Sequence, residues 1–351
     1  MKRFFTVFFI LTVFVVWGFA QVIDKPAATV RLEKLQVISV RQLESTIKSY
    51  EIKMKRPLTT DEKKKVLDGM INEVLLEQAA EKAHITVSDA EIQQRIDMAK
   101  RTGGIGLRLN RPLTDAELRS LVRQTGLSWE GYKKQLRKII LEQKYIMQAK
   151  RDFFSKIKEP TPSEIKEFYE ENKTAFVSPE MVRFKHIFID TRNLRTEAER
   201  AKARKRAYEI YKELENGASF DDLVLKYSDD KASRYNGGDF GYLRRDDLAR
   251  KQLLGKSFFE EVFNLKVGQI SGVLKSNIGY HIVKIEEKIP FKVLGLHDKI
   301  PPQNKVTVYD QIKATLYQQK QAQAFQEAMG DIVKELKKKA EIKIFKKNLP
   351  W

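Results

Sequence analysis

The chain has 351 residues, with 66 lysines and arginines against 47 aspartates and glutamates, for a formal net charge of +19. It has no cysteine, which excludes disulfides, thiolate catalysis, cysteine-built zinc sites and lipid attachment through an N-terminal cysteine. The length allows two or three domains, and the basic balance favours acidic polypeptides, anionic lipid surfaces or nucleic acid as partners.

Residues 1–20 have the pattern of a secretory signal. Lys2 and Arg3 form a charged start, Phe4 to Trp17 carries no charge, and Gly18 and Ala20 place cleavage before Gln21. A retained anchor is the alternative, because Phe4 to Ala20 reaches the short limit of a membrane span. Either way the remainder is expected outside the cytoplasm, in a periplasmic space, which argues against nucleic acid as the partner.

Ala28 to Val40 alternates apolar and polar residues around Glu33-Lys34 and predicts a small hairpin or an extended segment. Arg41 to Met54 predicts a helix that Pro57 interrupts. Thr59-Thr-Asp-Glu62 caps the next helix, which carries Val66, Met70, Ile71, Val74, Leu75 and Leu76 and ends near His84. Ser88-Asp-Ala-Glu91 and Thr114-Asp-Ala-Glu117 are two further capping boxes. Between them, Thr102-Gly-Gly-Ile-Gly106 lacks the Gly-Lys-Ser/Thr ending of a phosphate loop and is expected to be a flexible connection. From Ser128 the longest N-terminal helix is expected, with Trp129, Tyr132, Leu136, Ile139, Ile140 and Ile146 as one packing stripe. Glu159-Pro-Thr-Pro-Ser163 is a stiff break, and a helix restarts at Ser163 and stops before Ser178-Pro179. Far downstream, Pro290 and Pro301-Pro302 bracket a connector. Val306 to Lys339 then predicts a long helix with Ile312, Leu316, Phe325, Ile332 and Leu336, followed by the alternating Glu341 to Phe345. That helix has nowhere of its own to bury its stripe. It is expected to pack on the N-terminal helices, with the last strand pairing to Ala28–Val40.

The stretch from Met181 to Lys288 differs from these helices. In Met181 to Ile189 the strand pleat places Val182, Phe184, His186 and Phe188 on one face and Arg183 and Lys185 on the other. In Ile278 to Ile285, His281 shares a face with Val283 and Ile285. Both histidines therefore point at core. Three uses stay open: neutral core imidazoles, a buried hydrogen-bonded pair beneath a site, or metal ligands together with an aspartate. Between the two runs lie a short helix capped by Ser219, the exit Tyr227-Ser-Asp-Asp230-Lys, the Gly237-Gly-Asp-Phe-Gly241 turn and an aromatic helix with Phe258, Phe259, Val262 and Phe263. No Ser-His-Asp order and no zinc-protease signature is present.

Five pieces in order, Phe184-Lys-His186-Ile, Tyr-Ser-Asp-Asp230, Gly-Gly-Asp-Phe-Gly241, Phe263-Asn-Leu-Lys-Val-Gly-Gln-Ile-Ser271 and Gly279-Tyr-His281-Ile, make residues 181–288 resemble a parvulin-type peptidyl-prolyl cis/trans isomerase domain. The flanks resemble the periplasmic chaperones of the SurA type, with a secretory leader, a helical N-terminal domain and a returning helix and strand. The implied fold class is α+β: a mostly helical chaperone domain built from both ends of the chain, with an inserted domain of a four-stranded antiparallel sheet and helices. The layout implied is a signal peptide at 1–20, the helical domain at 21–176, the isomerase domain at 177–290, and a C-terminal helix and strand at 291–351 returning to the helical domain.

The resemblance implies a catalytic group of Asp230, His186 and His281 and an apolar substrate pocket of Phe240, Leu254 and Phe258, with Phe263 beside it. Asp230 stands where some parvulins carry Cys and others Asp. No metal and no cofactor is implied, since rotation about an X-Pro bond needs no nucleophile. Implied partners are unfolded exported polypeptides containing proline, with a weak attraction to anionic membrane surfaces. Two positions depart from the pattern: Leu243 to Phe258 is longer than in compact parvulins, and Ile278 stands where small polar or aromatic residues often occur. Arg192, Arg195 and Arg204 are similar to a basic phosphate-recognition loop, but a solvated helix face fits an extracytoplasmic protein better.

Overall fold

The computed structural model describes residues 24–106 and 111–351, so the expected signal segment lies outside the described residues. Two compact units are present: the described residues up to Ile157 together with Gln321–Trp351, and Lys158–Lys320.

The first unit opens with a hairpin, β1 (Pro26–Arg31) and β2 (Leu35–Ser39), and continues through α1 (Val40–Met54), α2 (Thr60–Lys82), α3 (Asp89–Gly106), α4 (Asp115–Gln124), α5 (Trp129–Ala149) and the single turn α6 (Arg151–Phe154). Helix starts follow the sequence closely. Ser39/Gln42, Thr59/Glu62, Ser88/Glu91 and Thr114/Glu117 each form a reciprocal capping box that satisfies otherwise orphaned backbone donors. The buried Gln78 uses its Oε1 to accept the amides of Leu32, Glu33 and Lys34, at 2.9–3.2 Å, and so pins the β1–β2 turn to α2.

Two expectations for this unit are corrected. Thr102–Gly106 is not a loop: α3 continues to Gly106. The Thr102 hydroxyl bonds back to the Met98 carbonyl, and Gly103 lets Leu113 approach so closely that a Cβ would sit 2.6 Å from its Cδ1. The glycine there serves helix packing, not chain freedom. The α5 stripe is not one packing face either. Trp129, Tyr132, Leu136 and Ile140 join a cluster with Ile92, Ile96, Leu113, Leu118 and Val122, while Ile146 joins the main core of Leu43, Ile71 and Leu75, and Ile139 is exposed. At 21 residues α5 outspans either cluster, and it is two shorter than the 23-residue α2.

The second unit holds α7 (Pro162–Glu171), β3 (Val177–Ser178), β4 (Met181–Asp190), α8 (Glu197–Glu215), α9 (Phe220–Tyr227), β5 (Asp239–Arg244), α10 (Leu248–Leu254), α11 (Lys256–Asn264), β6 (Leu274–Lys275), β7 (Gly279–Ile289) and β8 (Lys292–Val293). Its α7 starts earlier than Ser163, with Thr161 as cap and Pro162 in the first turn, where a missing N–H costs nothing. The main sheet is antiparallel in the order β5-β4-β7-β6. One face carries Val182, Phe184, Leu243, Val283 and Ile285 against Leu254, Phe258, Phe259, Val262 and Phe263 of α10 and α11. The other face carries Ile187, Ile189 and Ile282 against Ala207, Ile210, Leu223 and Val224 of α8 and α9. Thus Arg183 and Lys185 are half-buried near the start of β4, while α8 and α9 cover Ile187 and Ile189 in its later half.

Helix α12 (Val308–Lys339) begins in the second unit and ends in the first, followed by β9 (Glu341–Ile344). Its early residues Val308 and Ile312 cluster with Ile165 and Tyr169 of α7 and with Leu294. Its later residues Ala328, Ile332 and Leu336 enter the core of the first unit. Helix α7 and the segment around Leu294 thus share one apolar cluster with the start of α12. As the alternation of Glu341 to Phe345 predicts, β9 pairs antiparallel with β1, with Ala28 opposite Ile344 and Val30 opposite Ile342. Among the described residues, no helix is long and apolar enough to cross a membrane.

Candidate active site

The site is built on the two central strands of the second unit. In the β4–β7 register His186 lies opposite Val283 and Phe188 opposite His281. His186 and His281 are therefore diagonal neighbours on one sheet face, close enough for side-chain contact. The Nδ1 atoms are 3.3 Å apart. Both rings are almost wholly buried, at 3% and 1% exposure.

Each histidine has a second partner at its far nitrogen. His186 Nε2 lies 2.9 Å from Asp230 Oδ2. His281 Nε2 lies 2.8 Å from the Ser276 hydroxyl, which also accepts the amides of Ile278 and Gly279. Asp230 Oδ2 accepts the Ser233 hydroxyl at 2.5 Å, and Asp230 Oδ1 accepts the Ala232 amide at 3.1 Å. One assignment of protons satisfies every group. Ser276 donates to His281 Nε2, His281 Nδ1–H donates to His186 Nδ1, and His186 Nε2–H donates to Asp230. All donors then point toward the carboxylate.

The electrostatics follow from this direction. The Asp230 carboxyl is held well below the usual range, first by the His186 hydrogen bond and then, against burial, by Ser233 and Ala232. His281 is pushed well below the ordinary imidazole value, first by burial and next by its neighbour His186, with Asp230 opposing. The resting pair is thus a fixed anion over a neutral His281. Of the three uses left open for the histidines, the hydrogen-bonded pair is the one the geometry forms. Their Nδ1 atoms face each other and their Nε2 atoms are engaged at opposite ends, so the ring lone pairs do not converge on one metal position.

Local sequence explains how these groups are placed. Gly238 (φ +75°) passes its carbonyl to the His186 amide at 2.9 Å, and a Cβ there would lie 2.5 Å from the His186 carbonyl oxygen. Gly279 approaches β4 just as closely, with a Cβ position 2.1 Å from the Ile189 oxygen. Ser228, at the end of α9, accepts the Phe188 amide at 3.2 Å, and the Asp229 amide donates to the Phe188 carbonyl at 2.7 Å. These bonds fasten the loop that carries Asp230 to β4.

The aromatic surroundings separate the expected pocket residues. Phe240 stacks on Phe184 at 4.5 Å and meets His186 edge-on at 5.3 Å, and it is only partly buried. The Phe258 ring lies 4.6 Å from His281. Leu254 and Phe258 belong to the same cluster but are 2% and 1% exposed. Phe263 is apart from the histidines: it packs on Phe259 at 5.9 Å beneath the Arg245 guanidinium. Ile278 packs at the edge of the cluster. The Arg250 guanidinium, from the longer Leu243–Phe258 segment, lies 5.2 Å over the Phe240 ring and donates to the Tyr242 carbonyl. Sequence reasoning missed Ser233, Ser276 and Arg250. A hydroxyl three residues after Asp230 and another five before His281 were the available signals, but only the fold brings them to ring nitrogens.

The antiparallel sheet, the flanking helices and the paired histidines under a carboxylate define a parvulin-type domain. Residues 169–289 match the profile of the PPIC-type peptidyl-prolyl isomerase domain, and residues 1–146 match that of the SurA-like N-terminal domain. The protein thus carries a parvulin-type (PPIC-type) isomerase domain and a SurA-like N-terminal domain. The chain is similar to the foldase protein PrsA of Caldanaerobacter subterraneus, 30% identical over 64% of this chain and 56% of that one. It is also similar to the chaperone SurA of Idiomarina loihiensis, 27% identical over 63% of this chain and 47% of that one. The chain spans about half the length of these two relatives. Among solved structures it is similar to one from the pair of SurA-like chaperones PEB4 and Cj1289 of Campylobacter jejuni. That chain is 21% identical, with 74% of this chain and 96% of that chain covered, at a TM-score of 0.35.

Proposed function

We propose that the protein is a periplasmic folding chaperone that catalyses cis/trans isomerisation of X-Pro bonds in unfolded exported polypeptides, outer-membrane proteins among them. The observation that carries this reading is the unbroken hydrogen-bonded series Ser276–His281–His186–Asp230, in which the His186 ring meets the partly buried Phe240 edge-on. The signal-like residues 1–20 support export, and the +19 charge favours acidic clients and a weak attraction to anionic membrane surfaces.

Amide rotation faces a barrier of ~20 kcal/mol, because twisting abolishes the resonance that places negative charge on the carbonyl oxygen. A fixed carboxylate beside that oxygen disfavours the planar, charge-separated form more than the twisted one. In this mechanism Asp230 supplies the field. His186 and His281 hold it in place, and Phe240, backed by Leu254 and Phe258, takes the proline ring. Phe263 supports that wall from behind. An X-Pro peptide exchange assay on the chain starting at Gln21 is expected to give catalysis that Asp230→Ala lowers by ~10²-fold. No rate above the uncatalysed background would overturn the enzymatic reading.

One observation favours a second reading, a holdase in which the parvulin-like domain binds clients without turnover. Leu254 and Phe258 are 2% and 1% exposed, so a proline ring meets an almost closed wall. Protection from aggregation without isomerisation would select it.

A further inference from the structure

The helical unit contains a cleft of about 490 Å³ between β2, α1, α2 and α5, with Val37, Ile38, Met70 and Val74 on its apolar side and Glu73 and Lys138 on its polar side. β2 is an edge strand, and among the described residues β1 is its single strand partner. An edge strand leaves a row of backbone donors and acceptors available to another chain. On β2 this edge lacks two of the usual protections, proline and charged side chains. Leu35 and Val37 are 56% and 49% exposed, and the strand Leu-Gln-Val-Ile-Ser contains neither proline nor charge.

We propose that this edge and cleft receive an extended segment of non-native polypeptide as an added strand, with one of its lysines or arginines reaching the carboxylates on α2 and α5. The proposal rests on the chaperone reading above and locates its client groove. Strand addition supplies backbone hydrogen bonds whatever the sequence, and alternate side chains then fall toward Ile38, Met70 and Val74. That selectivity, apolar at every second position and indifferent otherwise, suits a protein that must hold many unfolded chains.

The charge pattern selects the cationic side chain. The cleft itself is lined by Arg41, Glu73 and Lys138, and behind Lys138 stand two more carboxylates, Glu77 and Glu142, so the α2–α5 side carries three carboxylates around one lysine. Lys138 already lies 3.5 and 3.4 Å from Glu73 and Glu77. Glu142 has no salt-bridge partner among the described residues. Burial first, then Glu73 and Glu77 against the pull of Lys138, raise it to about 7. A second cation entering the cleft would complete this cluster.

The test uses the chain starting at Gln21 and a fluorescent, proline-free peptide of about ten residues, alternating Ile and Thr with one central Lys, read by anisotropy. The absence of proline keeps the isomerase site out of the measurement. Binding is expected. Val37→Lys, which places a charge on the edge, should weaken it ~10-fold or more while X-Pro exchange activity is unchanged. Glu73→Gln should weaken the Lys peptide ~3- to 10-fold and leave a norleucine version nearly unaffected. Equal affinity in Val37→Lys with an unchanged circular dichroism spectrum would overturn the proposal. So would a concentration-dependent dimer abolished by Val37→Lys, since the occupant would then be a second copy. If Val37→Lys retains full protection of an unfolded client, the groove assignment fails and the chaperone reading stands. If the unsubstituted chain gives no protection, that reading itself fails.

Discussion

Each unit gathers a small set of titratable groups, buried in one and half-open in the other, and the two sets are finished to different degrees. Around His186 and His281 every nitrogen and the Asp230 carboxylate has a partner at 2.5–3.3 Å. Around Glu142 three carboxylates share one close lysine, and one of them has no salt bridge. A fully satisfied network fixes its members and their charges, which suits a site that must present one field. An incomplete one leaves a standing electrostatic demand, which suits a surface that takes in a partner.

Four substitutions test this contrast, beginning with the largest effect. Gly279→Ala forces a Cβ to within 2.1 Å of the Ile189 oxygen and 2.8 Å of the Phe188 ring. It is expected to cost ~3 kcal/mol or more in urea unfolding and to abolish X-Pro exchange. A loss under ~1 kcal/mol would mean that the β4–β7 contact tolerates movement and that the histidine network is less fixed than its geometry indicates. Ser276→Ala removes the hydroxyl that caps His281 Nε2 and accepts two amides, and should cost ~1 to 3 kcal/mol. Its activity should fall less than that of Asp230→Ala, since Ser276 acts on the carboxylate only through both rings.

Glu142→Gln probes the unfinished cluster, and its sign depends on pH. The glutamate is raised from 4.5 to about 7 in the folded chain. Between those values the unfolded state releases its proton while the folded state keeps it, so stability falls as pH rises. Glutamine cannot ionise. The variant should therefore be more stable than the parent near pH 8, by about 1 to 2 kcal/mol after solvent screening, and should show no gain below pH 4.5. Equal gains at both pH values would mean that packing, not charge, limits that cleft. Lys337→Met is the smallest expected effect. Its ammonium lies 2.5 Å from Asp68 at an exposed position, so the change in melting free energy should stay under ~0.5 kcal/mol. A larger loss would show that surface charge, rather than Ile332 and Leu336 in the core, secures the end of α12.

Much of this was legible in the chain itself, where the controlling interactions are local. Capping boxes at Thr59, Ser88 and Thr114 reach only three residues, and the pleat at His186 and His281 needs only alternation. The parvulin-like motifs pointed to Asp230 and Phe240. The errors arose where distant residues decided the outcome. Glycines at 102–106 looked like a loop, because Leu113 packing on Gly103 is invisible in local sequence. The stripe on α5 looked like one face, because nothing local tells that two cores lie along one helix.

The sequence by itself determined where most helices begin, which strand faces are apolar, and that two inward histidines accompany a carboxylate and a glycine turn. Those features depend on backbone periodicity and short-range hydrogen bonds, which each segment carries with it. The tertiary structure alone decided that the two Nδ1 atoms meet, that Ser233 and Ser276 close the network, that Leu254, Phe258 and Phe263 are buried, and that, among the described residues, β2 pairs with a strand on one side only. Those depend on strand register and on which surfaces remain after packing, and both are set by residues far apart in the chain.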